Sequence, residues 1–448
     1  MTRQLSLNAF LHDTGHHEAS WRHAESSVER ALDIDFYVEQ AQIAEAAAFD
    51  AIFFADVPGL WATTPYRPTA HLEPITRLSA IAAQTSRIGL IATASTTFYE
   101  PYNLARLFSS LDILSGGRAG WNIVTTAHEA VARNFNLTTN PRHEERYARA
   151  QEFIDVVTKL WDSWEDDAII ADRESGLYFD TEKVHPIHHT GRHFQVEGAL
   201  AAPRSPQGRP VYVQAGSSNE GRAFAARNAE AIFTAHQTIG DARAFYDDVK
   251  TTARAYGRAP EDIKILPGLS PFVADTHAEA VELQDHINSL TVPAYGLAQL
   301  EGLVGISLAH LELDERVPRE IFGAAGDVLD NNRSRLQVVA NIVERDHPTL
   351  RQLLHRLAGG RGHHVVAGRP DEVADIIVEW FENGAADGFN VMPPLYPQLL
   401  REFADKVVPI LQDRGLFRTE YSGTTLRDHL GLGRPASIYA GEHAGARV

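Results

Sequence analysis

The 448-residue sequence contains no cysteine. This absence excludes disulfide frameworks, thiolate metal sites, iron–sulfur clusters and thiol nucleophiles, so any redox chemistry depends on a group that the chain binds. Basic charge is also scarce: 41 Lys and Arg stand against 59 Asp and Glu, which gives a formal charge of −18. The acidic balance argues against a nucleic acid or an anionic membrane surface as partner, since both are bound by phosphate neutralisation.

Several familiar signatures are missing as well. No uncharged apolar segment reaches the ~18 residues that span a bilayer, and the N-terminal residues lack the basic and apolar regions of a secretory leader, so a cytoplasmic protein is expected. Neither GxxxxGK(S/T) nor HExxH occurs, and AGSSNEG has Glu220 where a hydrolase GxSxG turn requires glycine. P-loop, common zinc-protease and serine-hydrolase chemistries are therefore disfavoured.

The sequence does show a regular alternation of strand and helix patterns. Each of about eight short apolar runs is followed by a helical pattern; the runs are QLSLNAF, AIFFAD, RIGLIATAS, AGWNIVTT, VYVQAG, AIFTA, KILPGLSPFV and GFNVMPP. This rhythm predicts an α/β fold, a closed TIM (β/α)8 barrel with insertions. The alternative is an open doubly wound sheet, which would require a GxGxxG turn that the sequence lacks.

The length of the chain fits one enlarged barrel better than the three domains that ~150 residues per domain would suggest. We expect residues 1–432 to form a single barrel with insertions near 165–210 and 291–369. The first insertion is predicted to consist of loops and a small hairpin, and the second to be partly helical without a strand. Residues 433–448, rich in Gly and Ala, are expected to form a mobile tail.

In such a barrel the active site lies where the strands end, so polar residues there are candidate site residues. Asp56 follows AIFFAD, Thr93 lies in LIATAS, Asn122 lies in WNIVTT, and Ser217 and Ser218 follow VYVQAG. Purely structural alternatives exist, because Asp56 could cap a turn and Thr93 could be a β-branched residue of the barrel wall. No catalytic acid or base can be assigned.

Two short segments indicate where an anionic group would bind. AGSSNEG places hydroxyl residues at a strand-to-helix junction, where backbone N–H groups and the positive helix end favour a phosphate. A simple Ser N-cap is the alternative. In HEERY, His143 and Tyr147 are four residues apart on one helix face. Both could donate to an anionic cofactor, or be a capping His and a core Tyr.

Histidine is abundant, with 21 copies. HPIHH brings together His185, His188 and His189, and His363 precedes His364. The HPIHH segment lies in a loop-like insertion without a nearby carboxylate pattern, so a metal site there is the less favoured alternative. Solvated or capping histidines are the preferred interpretation, and no metal is predicted.

Most of the chain resembles the bacterial-luciferase-like flavin-dependent monooxygenases, in the branch of nitrilotriacetate monooxygenase component A, EDTA monooxygenase and dibenzothiophene sulfone monooxygenase. The similar runs are FFAD, ASTTFYEPYNLARLFSSLDILSGGRAGWNIVT, HEERYARAQEFIDVVTKLWDSW, VHPIHHTGRHFQVEGAL, PRSPQGRPVYVQAGSSNEGR, GAADGFNVMPP and LQDRGLFRTEY. Only residues 291–369 and the tail lack such runs.

The resemblance implies a barrel that binds reduced FMN (FMNH2) supplied by a separate NAD(P)H:FMN oxidoreductase. Oxygen would add at the flavin C4a position, and the resulting hydroperoxyflavin would oxidise a small organic substrate while the protein excludes water. Ser218 and Tyr147, with His143 close by, would hold the phosphate. The full set of implied FMN-binding positions, with Asp56 and Thr93 on the ring side and Asn122 facing the isoalloxazine, is Asp56, Thr93, Asn122, His143, Tyr147, Ser217 and Ser218.

Two alternative functions remain open for a chain with this fold. The same barrel could serve an oxidoreductase that uses the deazaflavin coenzyme F420, or a non-catalytic flavin-binding protein. Expected partners are the flavin reductase, O2, a small substrate such as an aminopolycarboxylate or organosulfur compound, and further copies of the chain in a dimer or tetramer. The predicted substrate lid comprises residues 291–369 and the N-terminal loop with His16, His17, Trp21, Arg22 and His23.

Overall fold

The structure is a computed structural model that describes residues 3–60, 65–126, 129–216, 218–323 and 333–439. Its strands in chain order are β1 (Ser6–Phe10), β2 (Ala51–Phe54), β3 (Gly89–Ser95), β4 (Ala119–Val124), β5 (His189–Thr190), β6 (Gln195–Val196), β7 (Val211–Gln214), β8 (Ala231–Thr234), β9 (Lys264–Val273), β10 (His364–Gly368) and β11 (Gly388–Val391). The strands β1, β2, β3, β4, β7, β8, β9 and β11 pair in parallel, and β11 returns to β1. The predicted TIM barrel is confirmed, and the open-sheet alternative is wrong.

Helices follow the barrel strands along the chain. They are α1 (Ile34–Ala46), α2 (Pro74–Ala82), α3 (Pro101–Leu114), α4 (Glu129–Ala132), α5 (His143–Trp161), α6 (Asn219–Asn228), α7 (Ile239–Ala255), α8 (His277–Ser289), α9 (Pro293–Val304), α10 (Glu320–Gly323), α11 (Arg333–Asp346), α12 (Leu350–Gly360), α13 (Pro370–Glu382), α14 (Gln398–Glu402), α15 (Val408–Asp413) and α16 (Leu426–Leu430). A π-helical stretch, Phe403–Val407, joins α14 to α15. Within the described ranges, no helix is long and apolar enough to cross a membrane.

The strands are almost continuously apolar because both of their faces are covered. All seven residues of β3 are buried, as a parallel strand between barrel interior and helices requires. Trp121 of β4 is fully buried and has ring neighbours from α3 and α5, with Phe153 at 5.7 Å and Trp161 at 6.2 Å between centroids. Burial of each such side chain contributes roughly 1.5–3 kcal/mol. This packing fixes α5 against β4 and so fixes where α5 begins.

The first insertion contains the expected small hairpin. β5 and β6 pair antiparallel, with His189 opposite Val196. The described part of the tail packs on this insertion: Arg434 pairs with Asp166 at 2.6 Å, and the Tyr439 ring stacks on His185 at 3.9 Å. Residues 434–439 thus have specific partners in the insertion.

The second insertion differs from the prediction, because it contains a strand. β10 pairs in parallel with Leu269–Val273, the second half of the long strand β9, which extends past β8 and of which only Leu269 also pairs with β11. The expectation of a strand-free insertion is therefore wrong. HVVAG is only five residues long and lies between GGRG and Pro370. Sequence periodicity over so short a run gives little signal, and the free edge of β9 decides the structure.

The helices of this insertion form their own apolar cluster against the barrel. The members from α9, α11 and α12 that are at most 4% exposed are Leu300, Val304, Val339, Ile342, Val343, Leu350, Leu353 and Leu354. The end of α12 reaches the N-terminal loop, where the Glu18 amide donates to the Ala358 carbonyl at 3.1 Å. The insertion and the loop after β1 therefore meet over the carboxyl end of the barrel.

Candidate functional site

Two candidate residues are joined at the carboxyl ends of β3 and β4. Thr93 and Asn122 lie directly opposite each other in the strand register and are both 3% exposed. The Asn122 amide donates to Thr93 Oγ1 at 2.8 Å, and Thr93 Oγ1 donates to the Phe54 carbonyl of β2 at 2.9 Å. One hydrogen-bonded chain thus crosses three adjacent strands and fixes the Asn122 side chain.

The same end of β4 carries buried acceptors without partners. Asn122 Oδ1, Thr126 Oγ1 and Asn140 Oδ1 are buried and have no hydrogen-bond partner among the described residues. Asn140 belongs to this group because its amide donates to the Thr126 carbonyl at 3.1 Å. An unsatisfied buried polar atom costs about 1–3 kcal/mol. A bound molecule with N–H or O–H donors, such as a flavin with its ribityl chain, would satisfy these atoms.

A second group of candidates meets where α5 and α6 begin. Ser218 is the N-cap of α6, and its Oγ accepts from the Gly221 amide at 3.0 Å. Burial raises the pKa of Tyr147, although hydrogen bonds with the Ser218 and Thr125 side chains oppose this increase. The His143 ring lies 4.9 Å from the Tyr147 ring. The structure therefore brings His143, Tyr147 and Ser218 together, whereas Ser217 lies outside the described residues.

Glycines leave room for close approach to the α6 N-terminus. A Cβ on Gly221 would lie 3.0 Å from the Tyr147 hydroxyl and 3.1 Å from the Gly216 Cα. The free N–H groups of the first helical turn, two hydroxyls and an imidazole form the donor set of a phosphate site. Glu220 lies 3.9 Å from His143, but its side chain is 52% exposed and can turn to solvent.

Asp56 stands apart from both groups. Its Oδ1 pairs with His71 Nε2 at 3.2 Å, and the carboxylate raises the pKa of His71 through this hydrogen bond. No hydrogen bond or ion pair joins Asp56 to Thr93 within the described part of the chain, although Asp56 follows β2 and Thr93 lies in the neighbouring strand β3. Sequence reasoning missed His71, because it lies in the irregular segment after β2 where no periodicity marks it.

Histidines of the N-terminal loop are neutral and lie at the carboxyl end of the barrel strands, which we call the mouth of the barrel. Burial lowers the pKa of His12 and His16 well below the usual value and that of His17 to about 4. His16 Nε2 lies 2.6 Å from the Phe10 carbonyl and must donate to it, so the buried and unpartnered Nδ1 is an acceptor. At neutral pH these rings act through hydrogen bonds rather than through charge.

The rest of the loop contacts the second insertion and its neighbours. Trp21 donates to the Tyr66 carbonyl at 3.0 Å, Arg22 donates to the Leu290 carbonyl, and the His23 ring lies 5.3 Å from the His286 ring. His363, from the end of the insertion, stacks on Phe233 at 4.8 Å. The loop and the insertion are thus both positioned over the mouth, where a lid was predicted.

A small cleft at this mouth contains charges that sequence reasoning missed. Arg67 and Arg361 line it with Asp13 and Glu18. Burial raises the pKa of Asp13, and it raises the pKa of Glu18 to about 6. Arg67 is half-buried and makes no ion pair or hydrogen bond with any described residue. A half-buried guanidinium that makes no ion pair or hydrogen bond favours the binding of an anionic group beside it.

The histidines of HPIHH do not form one site. His185 pairs with Glu165 at 2.8 Å, His188 with Glu197 at 2.8 Å and His189 with Glu152 at 3.2 Å. His364 stacks on Trp380. Among the residues that the structure describes, no group of three or more possible ligands could hold a metal ion.

A family model of luciferase-like monooxygenases matches residues 11–387. The chain belongs to this family. The resemblance noted in the sequence is therefore confirmed, and with it the classification as a flavin-dependent monooxygenase. The match spans the strands and helices that carry every candidate site residue.

Individual relatives match over nearly their whole length. N-acetyl-S-(2-succino)cysteine monooxygenase of Bacillus subtilis is 46% identical and covers 98% of this chain and 99% of the relative. Nitrilotriacetate monooxygenase component A of Aminobacter aminovorans is 44% identical, with 98% of each chain covered. Among solved structures, EDTA monooxygenase from Chelativorans sp. BNC1 is similar with a TM-score of 0.80 and 37% identity, covering 96% of this chain and 99% of that chain.

Proposed function

We propose that this protein is the oxygenase component of a two-component system and uses FMNH2 and O2 to oxidise a small organic substrate. The observation that carries the proposal is the donor set of Ser218, Tyr147 and His143 at the α6 N-terminus, at the same barrel mouth as the unpartnered Asn122 oxygen. These features match the two ends of FMN, a phosphate and a polar ring edge.

The chain's own residues would hold the cofactor at its phosphate and at its ring. Ser218, Tyr147 and the first α6 amides would bind the phosphate, with His143 beside it. Asn122 would accept a hydrogen bond from the flavin, held in place by Thr93, and Asp56 with His71 would line the ring side. When bound, reduced FMN supplies the oxygen chemistry, activating O2 at C4a and passing one oxygen atom to the substrate.

Water exclusion is the other task of the protein. The loop after β1 and the second insertion meet over the mouth, and the neutral rings of His12, His16 and His17 present buried surface without charge. We propose that this cover is the substrate lid and that residues 1–432 act as one barrel domain with two insertions. No side chain is assigned as general acid or base.

A separate NAD(P)H:FMN oxidoreductase would supply the FMNH2. The chain has no cysteine and no dinucleotide-binding GxGxxG motif, and one relative is named as component A of its monooxygenase. We also propose that the chain forms a homodimer or homotetramer and acts in the cytoplasm.

Within the expected substrate classes, the mouth favours a carboxylate-bearing compound. Arg67 makes no ion pair with a described carboxylate, although its charge acts on Asp13 and Glu18 across the cleft. The pKa of about 6 for Glu18 allows this group to take up a proton when another anion binds nearby. The two relatives reported above are named for N-acetyl-S-(2-succino)cysteine and nitrilotriacetate, which both carry several carboxylates.

The test is a coupled assay with a purified NAD(P)H:FMN oxidoreductase, labelled O2 and these two compounds as probes. We expect substrate-dependent oxygen uptake and one labelled oxygen atom in the product, both requiring FMN. Turnover with reduced coenzyme F420 and no oxygen uptake would favour the alternative oxidoreductase. FMNH2 binding without oxygen transfer to either probe or to a wider panel of carboxylates and organosulfur compounds would favour a non-catalytic flavin binder.

A further inference from the structure

A second cavity lies at the opposite end of the barrel, where the strands begin. Its volume is about 390 Å³, and its wall includes residues that come just before β7, β8 and β9 together with the start of the tail. No candidate flavin residue belongs to this wall. The volume falls within the range of ~300–1,000 Å³ that is usual for small-molecule sites.

The wall of this cavity is rich in arginine although the chain as a whole is strongly acidic. Arg209, Arg227, Arg258 and Arg434 line it, against the two carboxylates Glu230 and Asp262. Two of these groups are already neutralised: Glu230 accepts from Arg427 at 2.7 and 3.0 Å, and Arg434 pairs with Asp166. The remaining wall has three cations and one carboxylate.

None of the three remaining arginines has a carboxylate within ion-pair distance in the described ranges. Arg258 donates to the backbone carbonyls of Ala226 at 3.0 Å and Asp262 at 3.3 Å, and the nearby carboxylates of Glu230 and Asp262 act on its charge without an ion pair. The buried Arg209 Nε has no hydrogen-bond partner among the described residues, and its guanidinium lies 5.2 Å from the centre of the Tyr212 ring. Arg227 is exposed at the end of α6.

We propose that this cavity binds a small polyanion, a metabolite that carries several phosphate or carboxylate oxygens. Guanidinium groups bind such oxygens in paired hydrogen bonds, and three of them lining one half-open cavity concentrate positive potential there. The ligand would satisfy the Arg209 Nε and balance the excess charge. The cavity lies on the amino-terminal face of the barrel. Binding of the polyanion there stabilises the folded state and does not compete with flavin.

The test uses isothermal titration calorimetry on the full-length chain without flavin, with pyrophosphate and citrate as separate probes. We expect saturable one-to-one binding that weakens as salt increases, because the attraction is electrostatic. The double variant Arg209→Gln/Arg227→Gln should bind at least about tenfold more weakly, since two charge-assisted hydrogen bonds are lost. Stronger binding of pyrophosphate identifies a phosphorylated ligand, and stronger binding of citrate a polycarboxylate.

Arg243→Gln is the matched control. Arg243 is exposed near the start of α7, whereas Arg258 follows the end of this helix, and Arg243 lies outside the cavity wall. It should leave the affinity unchanged. Circular dichroism and FMNH2 titration show that each variant is folded; if the double variant does not fold, Arg227→Gln alone is used. No saturable binding of either probe, or equal affinity in the wild-type and cavity variants, would overturn the proposal.

Discussion

The Asn122 side-chain amide donates to Thr93 Oγ1 at 2.8 Å, while Asn122 Oδ1 is buried and has no partner in the part of the chain that the structure describes. The hydrogen bond fixes which way the amide faces, and so aims the acceptor away from Thr93. The barrel therefore holds an acceptor in a fixed position at its mouth, which is what recognition of a flavin N–H requires.

Replacement of Asn122 by leucine tests this acceptor. We expect Asn122→Leu to weaken FMNH2 binding by about tenfold or more, because a lost hydrogen bond in a buried site costs about 1–3 kcal/mol. The free energy of unfolding of the flavin-free protein should change little, since an unsatisfied oxygen is removed together with one hydrogen bond. Anaerobic fluorescence titration and urea unfolding measure the two quantities.

Gln40→Leu is a control of the same kind, because Gln40 Oε1 in α1 is also buried without a partner. It should not change FMNH2 affinity. Unaltered FMNH2 binding in Asn122→Leu would remove Asn122 from the flavin site.

The proposed binding of the FMN phosphate by Tyr147 and Ser218 is tested by comparing FMN with riboflavin, which lacks the phosphate. The wild-type protein should prefer reduced FMN, and Tyr147→Phe/Ser218→Ala should lose most of this preference while riboflavin affinity stays similar. Each charge-assisted hydrogen bond contributes about 1.5–3 kcal/mol. The ratio of the two dissociation constants is the measurement.

Ser218→Ala also removes a helix N-cap, which costs about 1 kcal/mol of stability. Thr276→Ala removes the equivalent cap of α8, where Thr276 Oγ1 accepts from the Glu279 amide. This control should lower stability similarly and leave the FMN-to-riboflavin ratio unchanged. If the double variant kept the wild-type ratio, the phosphate assignment would be wrong.

The Asp56–His71 pair predicts a pH dependence of stability. The folded-state pKa of His71 is raised by its hydrogen bond to Asp56, so the pair stabilises the fold fully below the unfolded-state pKa of about 6.5. This contribution is lost as pH rises through the raised folded-state pKa. The difference in free energy of unfolding between wild type and His71→Gln should be about 0.5–1 kcal/mol near pH 6 and should shrink toward about pH 9.

Chemical unfolding at several pH values measures this difference. His188→Gln breaks an exposed pair, with side chains 68% and 75% exposed, and should have almost no effect at any pH. A His71→Gln effect that did not vary with pH would contradict the charged pair.

Arg67 is expected to bind the substrate rather than the flavin. Arg67→Gln should raise the KM for a carboxylate substrate by about tenfold, the value of one charge-assisted hydrogen bond, and leave FMNH2 affinity unchanged. Steady-state kinetics in the coupled assay, with whichever carboxylate probe gives oxygen uptake, measure this change. Arg173→Gln in the exposed first insertion is the control. An unchanged KM for Arg67→Gln would exclude a role in substrate binding.

Much of the fold was predictable, because each barrel strand is an apolar run buried on both faces and followed by an amphipathic helix. β10 was not, since its pairing depends on the free edge of β9, which is a long-range property. Among the candidate site residues, Tyr147 and Ser218 were identified from their positions at the start of helices, and the structure brings them together. His71, Arg67 and Arg361 lie in irregular segments that only tertiary contacts place at the mouth.

We expect the barrel mouth to bind FMNH2. Anaerobic titration of the purified chain with FMNH2, and in parallel with reduced coenzyme F420, measures this binding and needs no knowledge of the substrate. FMNH2 should bind saturably with a dissociation constant in the micromolar range or below, much tighter than that for the deazaflavin. Failure to bind FMNH2 at micromolar concentrations, or a preference for the deazaflavin, would contradict it.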